Sequence, residues 1–283
     1  MIASDDTERG AGRVQIAMRR CANNIETAFA MLSRPLRGRV RESWPIDGRQ
    51  IGIAAAAAVV IFIFGMFVID AAATRSVGHL PRFAVWFFGQ ITDFGKSGWF
   101  LWPLGLLFVG ICALPMTLPR VQRLVLAAVA VRVGFLFVAI GAPSLFDTII
   151  KRMIGRARPM VGGSLDPTLF SPFIWRSDYA AFPSGHVTTA FAVLVAFGSL
   201  WPRARTALWT YALAIALSRV VVTAHYPTDV AAGAVVGVVG ALMVRRWFAL
   251  RHLGFSVTGD GTIQQWPGPS RRRIKAVARG LLS

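Results

Sequence analysis

The chain has 283 residues, 55% of them hydrophobic, and carries a formal charge of +18. Its mean hydropathy of +0.56 is too apolar for an ordinary soluble domain and predicts a polytopic membrane protein. The charge does not signal nucleic-acid binding, because no basic folded module with base-reading elements accompanies it.

The first 50 residues are polar and Arg-rich, and the first apolar run begins at Ile51, too late for the hydrophobic region of a cleavable signal peptide. Met18, Cys21, Ala22, Ile25, Ala28, Phe29 and Leu32 recur at steps of three and four. That spacing predicts an amphipathic helix, lying on the inner leaflet or packed on the ends of the bundle. Arg34 to Arg49, with two prolines and five arginines, reads as a linker. Six spans follow, at about 51–70, 98–116, 124–147, 186–201, 206–224 and 229–248; several approach the roughly 20 residues needed to cross a bilayer, the fourth is short and the third long enough to project past it. Phe83, Trp86, Phe87, Phe88 and Phe94 precede the second span and suit an aromatic belt at the headgroup layer. Cys21 and Cys112 lack framework or metal-ligand spacing and read as structural. Residues 249–283 form a basic, mostly disordered tail ending in a weak helix.

The expected organisation is a 1–50 extension, a 51–248 six-helix domain and a 249–283 tail. Twenty-one of the 31 lysines and arginines fall on one side of the six-span arrangement. By the positive-inside rule both termini are cytoplasmic, where the basic tails would meet anionic lipids. The 71–97 and 148–185 connections then face outward, to the periplasm in a Gram-negative host.

Three stretches carry chemistry. In the first, Lys151 and Arg158 stand seven residues apart and would share a face if the helix continues to Pro159. A phosphoryl group needs several cations from different directions, Lys as a point charge and Arg as a fork. Arg152 and Arg156 read as juxtamembrane bystanders. In the second, Pro183-Ser184-Gly185-His186 opens an apolar run. Ser184 reads as an N-cap, Gly185 permits close approach of backbone to an anion, and His186 projects from the first helical turn. In the third, Arg219 sits near the end of a span, where an unpaired charge costs roughly 2.5–3.5 kcal/mol. His225 follows at a corner made by Pro227, and Asp229, four residues on, can orient the imidazole. Arg132, inside the third span, reads as structural, and Asp147 as a partner for Lys151.

The patterns Lys-x6-Arg-Pro, Pro-Ser-Gly-His and Ser-Arg-x5-His-x3-Asp, in this order, resemble the type 2 phosphatidic acid phosphatase family. The resemblance covers about Asp147 to Gly233. It implies an all-α six-span bundle with a juxtamembrane site on the extracytoplasmic side. His225 would be the nucleophile forming a phosphohistidine, Asp229 its orienting carboxylate and His186 the acid and then base. Lys151, Arg158, Arg219, Ser184 and Gly185 would bind phosphate, with no metal or organic cofactor. The implied activity is hydrolysis of a lipid phosphate monoester or pyrophosphate: phosphatidic acid, phosphatidylglycerol phosphate, undecaprenyl pyrophosphate or lipid A phosphate. A phosphotransferase using the same site and a non-catalytic lipid transporter or scaffold are the alternatives. Oligomeric state is left open.

Overall fold

The structure, a computed structural model, describes residues 3–33, 47–114 and 118–282. The linker expected over 34–49 lies, except at 47–49, outside the described residues, as do 115–117 at the end of the second expected span. In chain order the helices are α1 Ala3–Ser33, α2 Gly48–Val77, α3 Arg82–Thr92, α4 Gly98–Ala113, α5 Arg120–Ile154, α6 Gly185–Leu200, α7 Arg205–Val221 and α8 Pro227–Leu250. Strands β1 Phe255–Val257 and β2 Ile263–Gln265 pair antiparallel, and α9 Arg271–Leu282 follows.

The chain is an all-α, polytopic membrane protein. Among the described residues four stretches are long and apolar enough to cross a bilayer: Gly48–Val77, Arg82–Ala113, Arg120–Ile154 and Pro227–Leu250. The expected fourth and fifth spans correspond to α6 and α7, of 16 and 17 residues. At 1.5 Å per residue each is only about 24–26 Å long, short of a full hydrocarbon core.

Two compact units are present, which cut across the expected 1–50, 51–248 and 249–283 divisions. One comprises 41–101 and 138–245 and contains all three chemical stretches. Helix α6 is buried along most of its length, with Val187, Ala190, Phe191 and Leu194 packed against Ala212 and Ile215 of α7. Helix α8 closes on α6 because Gly233 and Gly237 face it. A Cβ at either would come within 2.6 Å of the Ser184 carbonyl oxygen or 2.4 Å of that of Thr188, so small residues let the backbones touch. Helix α2 exposes Ile53, Val60, Ile61 and Phe64, as lipid-facing residues do. Phe83, Trp86 and Phe87 of α3 are exposed too and stack on one another.

The other unit comprises 1–40, 102–137 and 246–283. Helix α1 makes hydrogen bonds to two other helices of this unit. Asn24 Nδ2 donates to the Cys112 carbonyl at 2.6 Å, and Trp247 Nε1 donates to that of Leu32 at 3.2 Å. Met18, Ile25 and Phe29 remain exposed on its other face. Residues 255–265 are a hairpin where a disordered tail was expected, because Phe255 is buried on Phe135, ring centroids 4.8 Å apart, and Phe135 also meets Phe248. Burying an aromatic of that size helps to offset the entropy of ordering the hairpin, together with its cross-strand bonds. Arg132 is structural: its guanidinium donates to the carbonyls of Ala128 and Trp266 at 2.8 and 2.9 Å. Both cysteines are free.

Candidate active site

Helix α5 delivers the first stretch but ends at Ile154, short of Pro159. Gly155 has φ +64°, and a Cβ there would lie 1.8 Å from the Ser171 carbonyl oxygen, so only glycine can make this exit. Lys151 and Arg158 are therefore not related by two helical turns. Lys151 sits on the last turn, with its Nζ 2.6 Å from Asp147 Oδ2, the pairing expected from their spacing. Beyond the glycine the chain is extended. The Ala157 and Arg158 N–H groups donate to the Leu169 and Asp178 carbonyls, and the Arg156 carbonyl accepts from Ala181 N–H at 3.0 Å. These bonds fix the direction in which each arginine leaves the backbone.

The second stretch begins α6. Ser184 occupies the N-cap position with extended backbone (φ −80°, ψ 109°), yet its hydroxyl makes no capping bond. Its Oγ is buried without a hydrogen-bond partner, so the hydroxyl is free for a ligand rather than spent on the helix. The Ser184 N–H donates to the Asp229 carbonyl at 3.0 Å, which ties the start of α6 to the start of α8. Gly185 lies against the Asp147–Lys151 pair: a Cβ there would come 2.8 Å from Asp147 Oδ2 and 2.9 Å from Lys151 Nζ. His186 is half-buried on the first turn of α6, against Gly95 of the 3₁₀ turn that follows α3.

The third stretch forms the corner between α7 and α8. The Ala224 and His225 N–H groups both turn back to the Arg219 carbonyl. Pro227 starts α8 at a position where a missing N–H costs nothing. Asp229 Oδ2 reaches back to the Tyr226 N–H at 2.9 Å, a carboxylate satisfying the first turn of its own helix. His225 is 3% exposed, and its Nδ1 is 2.7 Å from the Ala181 carbonyl oxygen but 3.7 Å from Asp229 Oδ2. A carbonyl can only accept, so Nδ1 carries the proton and Nε2 keeps its lone pair. Asp229 lies near the ring, but the atom that fixes the tautomer belongs to the backbone.

Electrostatics join the three stretches. Burial holds the His225 imidazole below its ordinary range, opposed by Asp229 and reinforced by Arg219 and Arg158. A ring held below its ordinary range is neutral at pH 7. His186 lies within electrostatic reach of Arg219, His225, Lys151 and Lys96. Arg219 donates through Nη1 to Thr92 Oγ1 at 2.5 Å. Its Nε, like that of Arg158, is buried with no partner. Two guanidinium N–H groups and the Ser184 hydroxyl thus lack partners around one pair of histidines, although buried donors are nearly always satisfied. Such an arrangement can take an anion with several oxygens.

Sequence reasoning missed four residues. Arg156, read as a bystander, is fully buried, and its Nη1 donates to Asp229 Oδ1 at 2.5 Å while Nη2 donates to Asp70 Oδ2 at 2.7 Å. Asp70 and Thr92, on α2 and α3, and Ala181, through its carbonyl, carry no motif that would have marked them. Arg152 does behave as a bystander, over the Trp175 ring and bonded to the Arg176 carbonyl. Among the described residues no group of three or more His, Cys, Asp or Glu side chains is placed to hold a metal ion.

Residues 132–253 match the profile of the PAP2 superfamily. A lipid A 1-phosphatase of Rhizobium johnstonii is 34% identical over 210 residues, 72% of this chain and 82% of the relative. A lipid A 1-phosphatase of Rhizobium etli is 34% identical over 181 residues, covering 62% of this chain and 75% of the relative. Among solved structures, Aquifex aeolicus LpxE is similar at 22% identity with a TM-score of 0.46, over 63% of this chain and 96% of that one. A transmembrane PAP2-type phosphatidylglycerolphosphate phosphatase of Bacillus subtilis is similar at 18% identity with a TM-score of 0.44, over 68% of this chain and 94% of that one. The chain belongs to the PAP2 superfamily and is a membrane phosphatase of that family.

Proposed function

We propose that this protein hydrolyses a phosphate monoester of lipid A, or of a closely similar lipid phosphate, through a phosphohistidine on His225. The observation that carries the reading is the state of His225: a neutral ring with Nδ1–H on the Ala181 carbonyl, Nε2 unprotonated, and unpartnered donors of Arg158, Arg219 and Ser184 around the same pair of histidines. The choice of lipid A comes from the two relatives of that activity, each 34% identical.

In the proposed reaction Lys151, Arg158, Arg219, Ser184 and the Gly185 amide hold the phosphate oxygens. His225 Nε2 attacks phosphorus in line with the ester oxygen, the P–O bond breaks, and His186 gives its proton to the departing alkoxide. His186 then takes a proton from water, whose oxygen attacks the phosphohistidine and releases inorganic phosphate with His225 restored. Oriented donors that meet charge as it develops contribute roughly 10²–10³-fold each in such sites. Asp229 compensates the positive charge that His225 acquires.

The distribution of cations supports both termini in the cytoplasm and the site facing the periplasm at the inner membrane. Helix α9, with Arg271, Arg272, Lys275 and Arg279, would then meet anionic headgroups of the cytoplasmic leaflet. A cysteine introduced by Ser164→Cys should label in intact cells, after outer-membrane permeabilisation, with a reagent that cannot cross the inner membrane. Protection there would reverse the orientation.

The direct test is phosphate release by purified protein in detergent micelles. The substrates are lipid A 1-phosphate, phosphatidic acid, phosphatidylglycerol phosphate and undecaprenyl pyrophosphate. Release from lipid A, abolished in His225→Ala, is expected. Release from another of these lipids alone would change the substrate. Phosphorylated acceptor without free phosphate would make the protein a transferase, and turnover retained in His225→Ala would overturn the mechanism.

A further inference from the structure

We infer that Asp70 and Arg156 are positioning residues for the reaction at His225: together they hold Asp229 and the Ala181 carbonyl, and with Asp229 they form a cluster of one net negative charge beside His225 Nδ1. The inference rests on the proposed role of His225 as nucleophile.

Arg156 controls both acceptors near His225 Nδ1. Its guanidinium donates to Asp229 Oδ1 and to Thr228 Oγ1, and its carbonyl accepts from Ala181 N–H, the residue whose own carbonyl takes the Nδ1 proton. Asp70 closes the cluster from α2. It accepts from Arg156 Nη2 at 2.7 Å and from Thr228 N–H and Oγ1–H at 3.0 and 2.6 Å, so it also caps the first turn of α8, which carries Asp229. A single turn of π-helix, Met66–Asp70, interrupts α2 where Asp70 points inward. Such turns are inserted where a side chain must be re-aimed and are frequent at functional sites. Tyr226 lies over the guanidinium, 4.7 Å from its ring centroid.

Asp70, Arg156 and Asp229 are all fully buried. Two carboxylates against one guanidinium leave one negative charge. Without Asp70 the charge of Asp229, which compensates the imidazolium-like charge that His225 gains as it bonds to phosphorus, would be cancelled by Arg156. The other charged groups facing His225 are Arg158 from the segment after α5, Arg219 from α7 and His186 from α6. The arginines oppose a positive ring, and His186 does so when protonated. Asp70 is thus needed as a charge, not only as a hydrogen-bond acceptor.

Two variants separate charge from shape. Asp70→Asn keeps the shape and loses the charge; Asp70→Glu keeps the charge at a strained position. On lipid A 1-phosphate in micelles, Asp70→Asn should lower kcat roughly 10–100-fold with KM changed less than about threefold. The acidic limb of kcat/KM should move down by roughly half a pH unit or more, because the ring has lost a favourable negative charge. Asp70→Glu should keep that limb at the wild-type position, even at reduced thermal stability. This arm also stands alone if the Asn variant does not fold. Wild-type kcat and pH limb in Asp70→Asn, or a limb displaced in Asp70→Glu, would overturn the inference. His225→Ala, run beside them, tests the underlying reading separately: turnover there refutes the nucleophile itself, whereas an inactive His225→Ala with a wild-type-like Asp70→Asn refutes only the positioning role.

Discussion

Arg156 and Arg219 are both buried arginines of one unit, and their surroundings differ in kind. Arg156 is enclosed by carboxylates, hydroxyls and the Pro167 carbonyl, so that both terminal nitrogens and its Nε have acceptors. Arg219 has one bond to a threonine hydroxyl, and its Nε has none. The first is a closed network and the second an open one. Burying a charge without full compensation is costly, so under the proposed mechanism the open arginine is the one left to pair with the phosphate and the closed one holds the surrounding groups in place.

The sharpest way to break this comparison is His225→Ala, which should reduce phosphate release by roughly 10³-fold or more while leaving both arginines as they are. Arg156→Gln should act first on folding, with catalysis by the folded fraction slowed as well because Asp229 and the Ala181 carbonyl lose their support. It strands two buried carboxylates, at a cost of about 3–5 kcal/mol, read as a fall in the thermal midpoint in detergent. Arg219→Ala should do the reverse, lowering kcat/KM roughly 10²–10³-fold with the midpoint nearly unchanged. Equal effects of the two substitutions on stability would erase the distinction between closed and open networks.

A smaller effect concerns pH. His225 is folded with its imidazole held below the ordinary value of about 6.5 by burial. The unfolded chain therefore binds a proton there that the native state does not. The stability that His225 contributes is present above about pH 6.5 and is lost as pH falls toward the depressed folded value. The thermal midpoint should be lower at about pH 5 than at pH 7, and His225→Gln should reduce that difference. The smallest effect is expected in the other unit: Arg132→Gln removes bonds to two main-chain carbonyls and should leave kcat/KM unaltered.

The same contrast explains what was legible in the sequence. Lys151, Arg158, His186, Arg219, His225 and Asp229 could be read because each stands at a fixed spacing from a proline, glycine or span boundary. Asp147 was legible because its partner is one helical turn away. Asp70 was not, since its partners are 86 and 158 residues distant and a lone aspartate in an apolar run has no pattern. Arg156 was misread because an arginine beside a span usually snorkels, and only the turn at Gly155 directs this one inward. Ala181 acts through its carbonyl, which leaves no trace in residue type. Ser184 reads from its position as an N-cap and from the family resemblance as a phosphate ligand; it stands at the N-cap, but its hydroxyl makes no capping bond. Four of the six expected spans match helices long and apolar enough to cross a bilayer among the described residues and were legible from hydropathy, whereas the hairpin at 255–265 depends on a long-range aromatic contact and was not.

The central claim, that His225 becomes covalently phosphorylated, is tested most directly by rapid quenching of purified protein with lipid A carrying a ³²P-labelled 1-phosphate. The account predicts an acid-labile, alkali-stable label on the wild-type protein that maps to His225 and is absent from His225→Ala. A label that persists in His225→Ala, or that maps to His186, would contradict it.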